Sequence, residues 1–123
     1  MPAVCRLQNS EEESKMKMIK AIVRPEKAED VLDALMAQGF AATTKMSVLG
    51  RGKQKGLKVG DTYYDEIPKE MLMIVIEDKE EDKVVRLIAG AAKTDKNGTY
   101  GDGKIFVSQV ERAVTISSGE EGL

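Results

Sequence analysis

The hydrophobic pattern of this chain changes period several times, and each change marks an element. Met18–Val23 is apolar apart from Lys20 and is predicted as a strand. Arg24-Pro25 ends it, because the residue before proline is driven to extended geometry, and Pro25 suits a first helical turn. From Glu26 to Gln38 the positions Ala28, Val31, Leu32, Leu35 and Met36 fall on one face of a helix, which Gly39 terminates. Phe40–Leu49 alternates, with Thr44, Met46 and Val48 on one side and Lys45 and Ser47 on the other. Met71–Ile76 is apolar at every position, as in a central strand buried on both faces. Asp78 and Glu81 have capping-box spacing before a second helix, whose buried face is Val84, Leu87, Ile88, Ala91 and Ala92. Ile105–Val107 is a short strand and Arg112–Ile116 an edge strand.

The resulting order is β-α-β, loop, β-α-β. The halves repeat: Glu26 to Lys79 and Ile19 to Leu72 are each separated by 53 residues. Two such units imply a ferredoxin-like α+β sandwich, a four-stranded antiparallel sheet with two helices on one face. Met18 and Ile22 lie opposite Ile19, Ala21 and Val23, so the second sheet face is apolar too. In one small chain the expected cover is other copies of itself.

Two loops interrupt the pattern. Gly50–Lys69 (50–69) is too long for a hairpin connection in a compact domain and is expected to be functional. Its first part carries Arg51, Lys53, Lys55 and Lys58 between Gly50, Gly52 and Gly56, with no acid among them. It reads as a flexible basic arm. The second loop, Thr94–Lys104 (94–104), ends in Gly101-Asp102-Gly103-Lys104, where glycine amides and one ammonium offer a phosphate cradle. It is not a Walker A loop, because Ile105 stands where Ser or Thr would hold Mg2+. The predicted topology brings both loops to the same end of the sheet.

Composition narrows the chemistry. The 123 residues fit one domain, here 16–117. Residues 1–15 read as a disordered extension or the product of an upstream start, with Met16 or Met18 as the natural start, and 118–123 as a flexible tail. The chain has no His and one Cys, so imidazole-based catalysis, an internal disulfide and multi-cysteine metal sites are excluded. Cys5 is read as an ordinary thiol on the loose first segment. A net charge of −2, with two Phe, three Tyr and no Trp, argues against a dedicated nucleic-acid binder. The longest apolar run, Met71–Ile76, is far short of the roughly 20 residues of a membrane span, and a cytoplasmic protein is expected.

Four stretches together resemble one family: KMIKAIVRPEK at the first strand, GRGKQKG opening the long loop, IPKE closing it, and TDKNGTYGDGKIFV near the end. From about Met16 to Glu120 the chain resembles the PII (GlnB/GlnK-like) nitrogen-signalling proteins, and its long loop looks like the nitrogenase-associated (NifI-type) branch. The resemblance implies a trimeric ring, or a hetero-oligomer with a PII paralogue. ATP or ADP would sit between subunits, with 2-oxoglutarate and Mg2+ beside it. Carried over by position, Gly50, Arg51, Gly52, Lys53, Gln54, Thr44, Val75, Thr94, Gly101, Asp102, Gly103 and Lys104 would bind nucleotide. Gln54, Lys55, Gly56, Lys69 and Gly101 would bind 2-oxoglutarate, with Gln54 also reaching Mg2+.

The resemblance further implies a regulator and not an enzyme. Leu57, Lys58, Val59, Asp61, Tyr63 and Tyr64 would meet a target, nitrogenase first, with an ammonium transporter or glutamine synthetase as alternatives. An RRM-like RNA-binding module shares the element order, but no paired aromatic stands on Met18–Val23. The chain departs from the family pattern in three places. The long loop is shorter than in the glutamine-synthetase-linked members, and its Tyr63-Tyr64 does not sit in the pattern of the uridylylated tyrosine. The second loop is longer. Finally, Thr115 and Ser117 stand where the family often has two phosphate-binding arginines.

Overall fold

The computed structural model describes residues 15–51, 57–59, 62–64 and 66–123, the backbone alone at 57–59 and 62–64. Its sheet contains β1 (Met16–Val23), β2 (Thr44–Gly50), β5 (Ile67–Glu77) and β6 (Gly103–Val110), in the order β2-β5-β1-β6, with every pair antiparallel. The helices α1 (Ala28–Ala37) and α2 (Glu81–Ala92) each follow a one-turn 3-10 helix, at Pro25–Lys27 and Asp78–Glu80. This is the ferredoxin-like sandwich expected from the repeated β-α-β order.

Strand alternation puts Ile19, Ala21 and Val23 of β1 on the helix side, beside Leu72, Ile74 and Ile76 of β5. Val31 and Leu35 of α1 and Val84 and Ile88 of α2 close over them, all four fully buried or nearly so. Burying each such side chain contributes about 1.5–3 kcal/mol. Helix α1 ends in a Schellman arrangement. Gly39, at φ 88°, donates to Met36 O at 3.0 Å, and Phe40 donates to Leu35 O at 2.9 Å.

Several local expectations are corrected. Asp78 and Glu81 form no capping box, since neither helix start has a side-chain cap. The 3-10 turn displaces the α-helical start by a full turn, and both acids face Lys17 instead, at 3.7 and 4.0 Å. Strand β5 has 11 residues and begins at Ile67, so Lys69 lies within the strand and pairs with Val48. The long loop is not a plain arm. It carries a small ribbon, β3 (Leu57–Val59) with β4 (Thr62–Tyr64). Arg112–Ile116 is no strand. The chain turns back through a single Val114–Glu121 bridge, Gly119 N–H donates to Thr115 O at 2.7 Å, and Arg112 pairs with Glu121.

Among the described residues, no helix packs on the other sheet face. Alternation gives it Met16, Met18 and Ile22 from β1, Met71, Met73 and Val75 from β5, Met46 and Val48 from β2, and Phe106 from β6. Met46 is 45% exposed and Phe106 is 50% exposed.

Candidate functional site

At one end of the sheet, four strand ends and the second loop converge. The end of β1 leads into Arg24, β2 ends at Gly50, β5 brings Lys69, and β6 starts at Gly103. Lys69 Nζ donates to Gly101 O at 2.7 Å. The first loop's closing residue thus touches the second loop directly, although 32 positions separate them. Gly50, packed beside the Lys69 stem, would place an added Cβ 3.5 Å from Lys69 Cγ.

Asp102 organises the second loop. Its Oδ2 accepts from Thr99 N at 2.7 Å, Thr94 N at 3.3 Å and Thr94 Oγ1 at 3.5 Å. Its Oδ1 accepts from Arg24 Nε at 3.0 Å, and Arg24 Nη2 donates to Tyr100 O at 2.9 Å. The Thr99 N–H above all, with the Arg24 guanidinium, lowers the Asp102 pKa to about 2. Asp95 turns the loop's outer half, accepting from Asn97 N at 2.9 Å. Gly103 is required where β6 begins. At φ 131° its added Cβ would lie 1.9 Å from Ile22 O.

Lys69 has a different environment. Its acceptor is a neutral carbonyl, and among the described residues no carboxylate lies within ion-pair distance of it. Burial, followed by repulsion from Arg24, pushes its pKa down. Such an ammonium is under-compensated, and an anion placed beside it would be stabilised. Under the loop, on the helix side, a cleft of about 580 Å³ is lined by Val23, Ile88, Ala92, Tyr100, Gly103 and Lys104 among others. Thr94 and Gly101 stand outside its lining.

The family model described as Nitrogen regulatory protein P-II matches residues 16–120. The chain belongs to the P-II family. It is 55% identical over 108 residues to the nitrogen fixation nifHD2 region GlnB-like protein 1 of Methanosarcina barkeri, across 88% of this chain and all of the relative. The corresponding nifHD region protein of Methanococcus maripaludis is 56% identical over the same shares. Nitrogen regulatory protein P-II 2 of Methanothermobacter thermautotrophicus is 44% identical over 111 residues, 87% of this chain and 94% of that one. Among solved structures, Arabidopsis thaliana PII bound to citrate superposes with a TM-score of 0.73 at 31% identity, covering 89% of this chain and 87% of that one. These relatives are consistent with the nitrogenase-associated branch, and the role of this P-II chain is regulatory.

The P-II site residues expected from the sequence are distributed unevenly over the structure. Lys69, Gly50, Gly101, Asp102, Gly103, Lys104 and Thr94 meet at one end of the sheet. Arg51 is at its margin, exposed and 3.9 Å from Glu66. Thr44 and Val75 lie on the open sheet face instead, paired with Met73 and Met18. Gly52, Lys53, Gln54, Lys55, Gly56 and Asp61 fall outside the described residues. Leu57, Lys58 and Val59 pair along the ribbon with Tyr64, Tyr63 and Thr62.

Arg24 and Thr99 were not singled out by sequence reasoning. A signal for Arg24 existed: in this topology the end of strand one adjoins the start of strand four, so a cation after Val23 is placed to meet a Gly-Asp-Gly loop.

Proposed function

We propose that this P-II protein senses ATP or ADP together with 2-oxoglutarate and transmits the result through the 50–69 loop to a target, nitrogenase foremost. The observation that carries this reading is the Lys69–Gly101 contact. It joins the two loops through a cation whose acceptor is neutral. A carboxylate competing for Lys69 adds an opposite charge that the Gly101 carbonyl lacks, and alters the link between the loops as it binds.

The donor set fits anionic ligands. Lys69 and Lys104 supply ammonium groups at the same end of the sheet. Glycine-rich backbone at 101 and 103 would leave amides accessible to phosphate. Thr115 and Ser117 would offer hydroxyls, which bind phosphate less strongly than guanidinium groups. For Mg2+ the expected contact, Gln54, is outside the described residues. Citrate on the Arabidopsis relative is a polycarboxylate, as 2-oxoglutarate is a dicarboxylate. The nifHD relatives support nitrogenase as the target.

The methionine-rich open face supports assembly into a trimer, each sheet covered by neighbouring copies. A mixed ring with a PII paralogue would use the same face. Phe106 is the one aromatic residue among the described open-face positions, so that face offers no paired stacking platform for RNA. No described helix is long and apolar enough to cross a membrane.

Calorimetry with ATP, Mg2+ and 2-oxoglutarate tests the reading. Saturable 2-oxoglutarate binding that requires nucleotide and is lost in Lys69→Ala is expected. Absence of binding to the wild-type chain would sink it.

A further inference from the structure

Two cations grip the second loop, and they are not equivalent. Three consecutive residues, Tyr100, Gly101 and Asp102, are each held from the sheet. Arg24 takes the Tyr100 carbonyl at 2.9 Å and the Asp102 carboxylate at 3.0 Å, while Lys69 takes the Gly101 carbonyl between them at 2.7 Å. Arg24 and Asp102 are 78 positions apart in the chain, and their side chains are 27% and 16% exposed. The pair is thus better shielded than an ordinary surface ion pair, which contributes little. The Asp102 carboxylate has its second oxygen fixed by Thr99 and Thr94 as well.

An incoming anion meets two different situations. At Lys69 it displaces a neutral carbonyl and gains the attraction of two opposite charges. At Arg24 it would have to displace a carboxylate that already takes the Nε–H, beside a Tyr100 carbonyl that takes Nη2, with no comparable gain. An anion binding here would draw Lys69 away and leave Arg24 in place.

We propose that Arg24 is a positioning residue of the ligand site: through Asp102 and Tyr100 it keeps the second loop set when an anion takes Lys69 from Gly101. The loop amides then need not be ordered at the moment of binding, which preserves affinity. This rests on the anion-binding reading of Lys69. It assigns Arg24 no contact with ligand.

The test uses the full chain and calorimetry with ATP, Mg2+ and 2-oxoglutarate on the wild type, Arg24→Gln, Arg24→Lys, Asp102→Asn and the Arg24→Gln/Asp102→Asn double variant. Thermal unfolding checks that each is folded. Arg24→Gln and Asp102→Asn are each expected to weaken binding about tenfold, the scale of one charge-assisted hydrogen bond. The double variant should lose less than the product of the two single losses, because both remove the Arg24–Asp102 bond. Arg24→Lys keeps a charge opposite Asp102 and should recover part of the loss. Wild-type affinity in Arg24→Gln, or losses that multiply in the double variant, would overturn the proposal. Amide exchange at Thr99 without ligand provides a separate measurement. Faster exchange in Arg24→Gln supports the clasp even if the wild type binds no 2-oxoglutarate, in which case the Lys69 reading alone fails. Unchanged exchange overturns the clasp.

Discussion

Lys69 reaches from the third residue of β5 to the carbonyl of Gly101, 2.7 Å away, and so ties the strand that closes the first loop to the backbone of the second. Neighbouring Arg24 repels its charge, and burial strips part of its hydration. The bond is therefore a contact that a carboxylate ligand can replace. Lys69→Gln should leave the unfolding midpoint nearly unchanged, since among the described residues the ammonium has a single, neutral acceptor. It should reduce 2-oxoglutarate affinity by about 10- to 100-fold, the worth of one hydrogen bond to a charged group. Paired calorimetry and urea unfolding check both halves of this expectation.

Gly103 and Gly90 make a matched test of backbone requirement. An added Cβ at Gly103 would lie 1.9 Å from Ile22 O, at φ 131°. Gly103→Ala should destabilise the fold by about 1–3 kcal/mol or more, as strained positions do. Gly90 lies within α2 with nothing within 4 Å of an added Cβ. Gly90→Ala should stabilise by about 0.5–1 kcal/mol. Urea midpoints moving in opposite directions are the expected result.

Acid should act on Asp102. Its pKa is about 2 in the folded chain, against about 3.9 in an unfolded one. Between these values the unfolded state binds more protons, so stability rises with pH there. The contribution is complete above the unfolded value and is lost as pH falls through it toward about 2. Asp102→Asn should thus be less stable than the wild type at neutral pH, with the gap closing on acidification. Urea unfolding from pH 7 down to pH 2 measures it; a constant gap would contradict the assignment.

Met73 marks the centre of the open face, between Lys20 and Thr44 in register. Met73→Glu puts a charge where a neighbouring copy is proposed to pack, and desolvating it there costs several kcal/mol. The variant should remain folded, with unchanged circular dichroism, but sediment as a smaller species. Retention of the wild-type mass would locate the assembly interface elsewhere.

The core shows how far the pattern reached. The positions predicted for the first helix include Ala28, Val31 and Leu35, and all three are buried in α1. Truncating Leu35 to Ala should cost about 2–5 kcal/mol, measured by urea unfolding. Local periodicity identifies such positions because a helix buries one stripe whatever its partner. The pattern also showed two apolar faces on the first and third strands. Element limits were less legible. Ile67, Pro68 and Lys69 look like the end of a loop, and pairing with β2 extends the strand through them. Asp78 and Glu81 have cap spacing, yet Lys17 from another strand engages both.

The β-α-β order of the sandwich, the core stripes, the terminating Gly39 and the two glycine-rich loops were determined by the sequence alone, because each follows from spacing along the chain and intrinsic backbone preference. Tertiary structure decided which charges share a site. Arg24, Lys69 and Asp102 are far apart in sequence, and only the antiparallel order β2-β5-β1-β6 brings their strand ends together. Tertiary structure also decided which cation has a carboxylate and which a neutral carbonyl. That difference depends on distances of a few ångströms across the sheet end, and no local pattern encodes them.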